Sequence, residues 1–406
     1  MHTRSALTMP RRAALISGAA IGVGGASVDT ESGIAALIEA WDSQGIHRTA
    51  TDGDEAGADW LAREATSSGA KPGFEAFALD RIDPTAAFVE IDGARIPGVP
   101  MFDGPMTPRT GVQGLAEKAA PGGQALIGVT ELSPLVVYSE QFVTMRRTSL
   151  YKALVVATKG GQPGLALLNA EAFRKPYGPV ILQVSSEARD AVFAAVGRGA
   201  VLRVVAASRR VPATARNLVV EIKGRDAGRA PLVVMTPRSS WWQSTSERAG
   251  GIIGWLAVLR ALVAAPPAND VVFVASSGHE LGHIGLDDFM ARRPGWEKTA
   301  TWMHFGANIG AAGGALDLQS ASDDLRELGT GELSRAGRPA DTVSPKTLVP
   351  NGESREIHRA GGRYVTLVGS NPLFHLPQDR WPHAVSVPDI ARIAAGFARL
   401  AVVLTR

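Results

Sequence analysis

The chain has 406 residues, of which 45% are hydrophobic and 20% are charged, and its formal net charge is +3. This length and composition predict a globular protein of two or three domains that can bury a full core. Lys and Arg form no run longer than a pair, so nothing indicates nucleic-acid binding. The absence of cysteine excludes disulfides, thiolate zinc sites and cysteine nucleophiles.

The first 30 residues have the pattern of a leader. Arg11 and Arg12 precede an apolar run from Ala13 to Ala26, as in a short twin-arginine export signal. The run is too short to span a bilayer as a helix, so we expect no integral membrane span. Export to the periplasm or cell exterior and retention in the cytoplasm with an uncleaved leader stay equally open.

Residues 31–214 begin with helical periodicity and then become rich in strands. Amphipathic helices are predicted at 32–44 and 54–68, and the Pro/Gly-rich residues 72–110 are predicted to be a linker with one or two strands. The elements predicted after it are strands at 125–130, 135–138, 153–158 and 180–184, a helix at 186–196 and a strand at 201–207.

After residue 215 strands alternate with helices. The predicted elements are strands 217–222 and 231–235, helix 247–264, strand 270–275, helix 286–292, strands 301–309 and 364–368, and helix 388–403. This alternation predicts an α/β fold with a mixed, mostly parallel sheet and helices on both faces. Residues 329–363 are polar and turn-rich, and we expect a lid or surface excursion there.

The stretch from Val271 to Phe289, VVFVASSGHELGHIGLDDF, indicates a functional site. An apolar strand runs directly into His279-Glu280, and open α/β sheets place their chemistry at the carboxyl ends of strands. The same residues spell H-E-x-x-H, a zinc motif that requires a continuous helix. Glycines at 278, 282 and 285 disfavour such a helix, so the metalloprotease interpretation of the motif is weak.

Five segments in order resemble the M28 family of zinc aminopeptidases and its glutaminyl-cyclase relatives. They are NLVVEIKG from Asn217, PLVVMTPRSSWW from Pro231, SERAGGIIGWLAVLRAL from Ser246, the HELGHIGLDDF segment and FHLPQDR from Phe374. The resemblance covers roughly residues 32–406. It implies an M28-like catalytic domain at 31–110 and 215–406, with a protease-associated domain inserted at 111–214 that walls the site.

The resemblance also implies a divergent metal site. Glu247, Glu280 and His375 fall on one complete set of the family's ligands, whereas Arg238 and Ala307 fall on lost ligands of the second metal. We therefore expect one divalent metal, preferably zinc, which leaves a position for water or substrate. His279 falls on the family's Glu base and is the predicted proton shuttle, and Arg238 is the predicted substrate or oxyanion clamp.

Substrate contacts are predicted from residues near these positions, with aromatic rings forming a wall beside Arg238. The predicted substrate-binding residues are Ser240, Trp241, Trp242, His304, Asn308 and Trp381. Plainer interpretations stay open for several positions: Glu247 as a favourable charge at a helix start, Arg238 as an ion-pair partner of Glu247 or Glu280, and His283 as a hydrogen-bonded loop residue.

The predicted function is that of an M28-like hydrolase cleaving an amide or related acyl bond, with a small molecule or short peptide as its partner. An acylated, anionic or cyclic substrate suits Arg238 better than a free α-amine does. The alternative is a metal-free M28-like protein in which Arg238 replaces a metal, either a lyase or isomerase or an inactive binding module. A third hypothesis is a true aminopeptidase whose missing ligands are His283 or His304. The oligomeric state is not indicated.

Overall fold

The computed structural model describes residues 30–136, 139–226 and 228–406, so the predicted leader lies outside the described residues. Its helices are α1 (Glu31–Asp42), α2 (Asp52–Ser67), α3 (Glu140–Thr148), α4 (Arg189–Gly197), α5 (Thr245–Ala264), α6 (Ile284–Ala291), α7 (Trp296–Thr299), α8 (Asp323–Arg335), α9 (Ser354–Arg359) and α10 (Val387–Leu404). Its strands are β1 (Pro72–Ile91), β2 (Ala94–Pro100), β3 (Val112–Lys118), β4 (Ile127–Leu132), β5 (Ala153–Thr158), β6 (Val180–Val184), β7 (Val201–Ile222), β8 (Leu232–Pro237), β9 (Val271–Ser276), β10 (Thr301–Phe305), β11 (Leu316–Gln319), β12 (Thr342–Val343) and β13 (Arg363–Gly369).

The strands form one mixed sheet in the order β1-β2-β6-β5-β4-β3-β7-β9-β8-β10-β13-β11-β12. The stretch β9-β8-β10-β13 is parallel, and so is β3-β4-β5-β6. Four of these strands, β5, β6, β8 and β9, are runs whose residues are all buried, as parallel strands covered by helices require. The predicted α/β class is confirmed.

Two long strands connect the two parallel stretches. β1 pairs antiparallel with β7 from Pro72↔Val220 to Ile91↔Leu202, with one irregularity near Pro84. The residues predicted to be a linker with one or two strands are thus the continuous strand β1 and the shorter β2. The predicted strands 201–207 and 217–222 are one strand, because the exposed residues between them are paired with β1.

The largest core cluster contains α5 and α10, which pack together over the sheet. Nearly every residue of α5 is buried, including Trp255 at 0% exposure. Gly250 permits the close approach of α5 to the segment after β10, since a Cβ there would lie 1.7 Å from the carbonyl oxygen of Ile309. Helix α5 therefore begins tightly against the strand ends.

Three predicted elements differ from the structure. The strand predicted at 135–138 is not formed where the structure describes it, because Pro134–Val136 is a 3₁₀ turn that begins with a residue lacking a backbone N–H; residues 137–138 lie outside the described residues. The strand predicted at 301–309 ends at Phe305, and Asn308 takes a left-handed conformation with φ 65°. The polar stretch 329–363 contains the end of α8, then β12 and α9.

Among the described residues, no helix is both long enough and apolar enough to cross a membrane.

Candidate active site

The parallel strands β8, β9, β10 and β13 end at the same edge of the sheet, and a cavity of about 130 Å³ lies there. Its lining includes His279 and His283 after β9, Asn308 after β10, and Phe374 after β13. The strand-rich region 111–214 contributes further lining residues, among them Asn169. A cavity of about 150 Å³ accommodates benzene, so this one admits a group of about six heavy atoms.

A sharply turned backbone places the two histidines on the cavity wall. His279–Leu281 forms a single 3₁₀ turn between Gly278 and Gly282, whose φ angles are 79° and 78°, and His283 follows at φ 62°. The H-E-x-x-H residues therefore do not form a continuous helix, as their glycines indicate. The rings of His279 and His283 nevertheless lie close, with centroids 5.0 Å apart.

Glu280 lies on the other side of this turn and is fully buried. Its Oε1 accepts hydrogen bonds from the backbone N–H and the hydroxyl of Thr49, both at 2.7 Å. Its Oε2 accepts one from the Ser239 hydroxyl at 2.7 Å. A metal bound to this carboxylate would have to displace one of these donors, so the role of Glu280 as a ligand stays a prediction that its hydrogen bonds disfavour.

Arg238 is also fully buried, and it faces helix α2. Its guanidinium lies 2.5 Å from Asp54 Oδ1 and also donates to the carbonyl oxygen of Arg216. Burial raises the pKa of Asp54, and the charge of Arg238 opposes that rise. Arg238 is thus held in an ion pair, but its partner is Asp54 and not Glu247 or Glu280.

The Arg238 ion pair has a structural consequence for the cavity. Asp54 Oδ2 accepts from the Ala50 N–H at 2.9 Å and from the Ser277 hydroxyl at 2.7 Å. Ser277 begins the turn that carries His279. The Arg238–Asp54 pair therefore fixes the position of that turn through the Ser277 hydroxyl. Arg238 itself is not among the residues that line the cavity.

Glu247 and His375 do lie together. Glu247 is in the first turn of α5, whose N–H groups at Ser246 and Glu247 donate to the Asp379 carboxylate. Glu247 Oε1 lies 2.8 Å from the Arg248 guanidinium and 3.5 Å from His375 Nε2. Burial by itself would raise the pKa of Glu247, but the charges of Arg248 and His375 outweigh it and lower that pKa to about 2.

His375 is oriented by one hydrogen bond. Its Nδ1 lies 2.5 Å from the carbonyl oxygen of Leu167, and since a carbonyl only accepts, Nδ1 carries the proton. Its Nε2 faces Glu247 Oε1 at 3.5 Å, and Glu247 Oε2 is buried without a hydrogen-bond partner. Glu247 and His375 are the two predicted ligands that the structure brings together.

Glu353 is a member of this site that the sequence did not indicate. It precedes α9 and is fully buried, with Oε1 2.7 Å from His279 Nδ1 and Oε2 3.3 Å from His304 Nε2. Burial alone would raise the pKa of Glu353, but the nearby imidazoles of His279 and His283 hold it well below its usual value. The segment NGESRE around it has no apolar period or strand end that would indicate a site.

One group of possible metal ligands is found among the described residues, and it differs from the predicted one. His279, His283 and Glu353 each offer a ligand atom, and these atoms all lie within 4.8 Å of one another. Burial lowers the pKa of His283 to about 3, so this imidazole is neutral at pH 7. Both of its nitrogens lack a hydrogen-bond partner.

The predicted substrate-binding residues lie at different depths. Asn308 lines the cavity, and His304 lies behind it with Nδ1 2.6 Å from the Thr366 hydroxyl. The remaining four are outside the lining: Trp241 donates to Asn169 Oδ1, Trp242 donates to the His375 carbonyl, Ser240 donates to the Trp242 carbonyl, and Trp381 packs against the main core. Through these hydrogen bonds, Trp241 holds the cavity residue Asn169 and Trp242 holds the backbone of His375.

Comparisons with solved structures identify the fold. The zinc aminopeptidase BSAP from Bacillus subtilis superposes with a TM-score of 0.74 at 14% identity, covering 92% of this chain and 94% of that one. A peptidase M28 precursor from Shewanella amazonensis SB2B gives 0.73 at 14% identity, with 93% and 94% covered. The aminopeptidase from Aneurinibacillus sp. strain AM-1 gives 0.71 at 14% identity, with the same coverage. No protein-family model and no curated protein matches the sequence. The chain has an M28-like fold, as the resemblance predicts.

Proposed function

We propose that this protein is a hydrolase that cleaves an amide or related acyl bond in a small substrate. The observation that carries the proposal is the convergence of ionisable side chains from separate segments on one cavity at the carboxyl edge of the sheet. His279 and His283 line that cavity, and Glu353 lies directly behind them. Structural neighbours that share the fold are peptidases, which supports the same class of reaction.

The donor atoms at this edge suit a divalent metal. Buried polar atoms without hydrogen-bond partners are costly unless something else satisfies them. Such atoms occur here on His283 and Glu353. Imidazole nitrogens and carboxylate oxygens are the ligands of catalytic zinc. When bound, such a metal polarises a carbonyl and lowers the pKa of a bound water towards about 7.

The chain's own residues account for proton handling and substrate binding. His375 Nε2 and Glu247 Oε1 are 3.5 Å apart, and the pair can hold one proton between them. Asn308 and Asn169 offer amide groups to the polar part of a substrate, while Phe374 and Leu135 provide apolar contacts. Leu135 is 72% exposed, so it lies at the mouth of the cavity.

The lining favours an uncharged substrate. In the described part of the chain, the residues around the cavity include no Asp, Glu, Lys or Arg. A free α-amine would therefore find no carboxylate there, and an anionic group would find no guanidinium. Because Arg238 is held by Asp54, the reason for expecting an anionic substrate is removed. An N-acylated amide with a small side chain fits best.

The test compares N-acetyl-leucine p-nitroanilide with leucine p-nitroanilide, each with and without added zinc. We expect release of p-nitroaniline from the acetylated compound to be the faster. His279→Gln should reduce that rate at least about a hundredfold, in the range lost when a group that assists proton transfer or polarisation is removed. His358→Gln is the matched control, since His358 bonds Tyr364 outside the cavity. Preference for the free amine would support the aminopeptidase hypothesis instead.

A second candidate is supported by Arg248. Its guanidinium lies beside Glu247, where the resemblance implies a metal. The fixed positive charge of Arg248 would take the place of that metal in a metal-free site. The residue that replaces the metal would then be Arg248 and not Arg238. Turnover that persists in EDTA, or binding without turnover, would favour this candidate.

A further inference from the structure

Glu353 is a buried carboxylate whose ion-pair partners are imidazoles. It approaches from the loop before α9, while His279 follows β9 and His304 belongs to β10. A carboxylate without a strong counter-charge is costly in a protein interior. Its Oε2 has no well-formed hydrogen bond, and the same is true of His304 Nε2. The cluster therefore contains a carboxylate oxygen and an imidazole nitrogen that are buried without a well-formed hydrogen bond.

His283 provides an independent indication that a ligand is missing. Its ring is 2% exposed, and neither nitrogen has a partner. Its backbone has φ 62°, a conformation that a β-carbon makes unfavourable, so the local fold holds this residue against a backbone cost. An imidazole nitrogen that binds a cation would remove the unmatched lone pair.

The dimensions of the cluster fit one small cation. Ligand atoms of His279, His283 and Glu353 lie within 4.8 Å of one another. Two atoms about 2.1 Å from the same zinc lie about 3.4 Å apart in tetrahedral geometry. Small side-chain rotations therefore bring the three atoms to one ion. Two imidazoles and one carboxylate are also a known composition for three-ligand zinc sites that keep a fourth position open.

The charges around Glu353 differ from those around Glu247 and Glu280, the metal ligands that the resemblance predicts. At Glu247 the guanidinium of Arg248 lies 2.8 Å away and would repel a dication. Glu280 already accepts three hydrogen bonds. Around Glu353 the paired groups are imidazoles, which are neutral ligands once deprotonated. The position beside Glu353 thus combines a buried carboxylate with imidazole nitrogens of His283 that lack hydrogen bonds, although the charge of Arg355 also acts on His283.

We propose that the protein binds one zinc-like divalent cation through His279, His283 and Glu353, displaced from the position that the family resemblance implies. His279 is then a ligand and not the predicted base, and His304 orients Glu353 from behind. The cation lies at the cavity wall, where His279 and His283 are lining residues. It also ties the loop before α9, which contributes Asn351 and Gly352 to the lining, to the strand ends. Its use in hydrolysis rests on the proposed function, whereas its binding does not.

The experiment measures metal content by mass spectrometry after dialysis against zinc and removal of free metal, in the full chain and in matched variants. Wild type should hold about one zinc per chain. Glu353→Gln and His283→Asn should reduce the content at least tenfold; asparagine is chosen because it tolerates the left-handed conformation at 283. Glu356→Gln, in helix α9 just after Glu353, should retain the zinc, as should Glu247→Gln and His375→Gln.

A spectroscopic measurement keeps the test valid if a variant misfolds. Cobalt(II) added to the metal-free wild type should give the visible absorption of a four-coordinate nitrogen and oxygen site, and zinc should abolish it. Absence of bound zinc and of this spectrum would overturn the inference. So would zinc that is retained in both folded ligand variants, or that is lost in Glu247→Gln. Zinc binding without hydrolysis would refute only the proposed reaction, and hydrolysis that proceeds without bound zinc would refute only the use of the metal in that reaction.

Discussion

Replacing Arg238 by methionine should destabilise the protein by about 3 kcal/mol. Removing one partner of a buried ion pair costs about 3 to 5 kcal/mol, because the other charge stays buried. Here that charge is Asp54, which is 0% exposed and 2.5 Å from the guanidinium. Asp54 keeps two donors, Ala50 N–H and the Ser277 hydroxyl, and burial already raises its pKa. It can therefore take up a proton, which places the cost at the lower end of the range.

The assay is urea unfolding at pH 7 followed by tryptophan fluorescence. Arg209→Met is the control, because the side chain of Arg209 is 70% exposed and lies 3.8 Å from Asp83; its effect should stay within about 0.5 kcal/mol. Asp54→Asn combined with Arg238→Met should cost less than the sum of the single changes, since neither variant residue is charged.

The opposite result would support the role of Arg238 as a substrate clamp, which was predicted from the sequence. If Arg238→Met unfolded with wild-type stability but lost substrate binding, Arg238 would have to face a ligand, and its placement against Asp54 would be refuted.

Three further changes follow from the packing. Burial lowers the pKa of His47 to about 3, compared with about 6.5 in the unfolded chain. The stabilisation of the folded state by neutral His47 is therefore fully present above pH 6.5 and is lost as the pH falls towards 3. Between pH 7 and pH 5 the loss is about 2 kcal/mol, and His47→Gln should flatten the pH dependence of the urea midpoint; an unchanged slope would contradict this. Gly250→Ala would place a Cβ 1.7 Å from the Ile309 carbonyl oxygen and should lower stability, measured by thermal unfolding, by about 3 kcal/mol or more. Gly331→Ala, which has open space around it, is the control and should leave stability unchanged or raise it. Trp241→Phe removes a buried hydrogen bond of 3.0 Å and should cost about 1 to 2 kcal/mol by the same measurement; no change would mean that water replaces the indole donor.

The sequence allowed the sheet and one part of the site to be predicted. Apolar runs such as Val271–Ser276 indicate parallel strands, and the fixed direction of such strands means that residues after them meet at one edge. For that reason His279 could be placed at this edge from the sequence, whereas Asn308 reaches the cavity from the loop after β10 and not from the strand predicted to carry it. Glycines around His279 also predicted that the H-E-x-x-H motif would not form a helix.

The direction of buried charged side chains could not be predicted in this way. Arg238 and Asp54 are 184 residues apart, and no periodicity links them. The side chain of Glu280 could face either side of its turn, and Thr49 supplies the donors that fix it. Glu353 lies in a polar segment where nothing distinguishes one carboxylate from its neighbours. These choices depend on which tertiary partners satisfy each charge.

The partners of the buried carboxylates separate those that hold the fold from those available for chemistry. Asp54 has Arg238, and Glu280 has three neutral hydrogen-bond donors, so neither gains by binding a cation. Glu247 has Arg248 as an ion-pair partner, and its Oε1 also lies 3.5 Å from His375 Nε2, which suits a pair that holds a proton. Glu353 faces imidazoles alone in its ion pairs, and imidazoles can turn from hydrogen-bond donors into metal ligands by releasing protons. The proposed hydrolysis at this strand edge therefore depends on a cation beside Glu353, the carboxylate whose ion pairs in the structure are with His279 and His304.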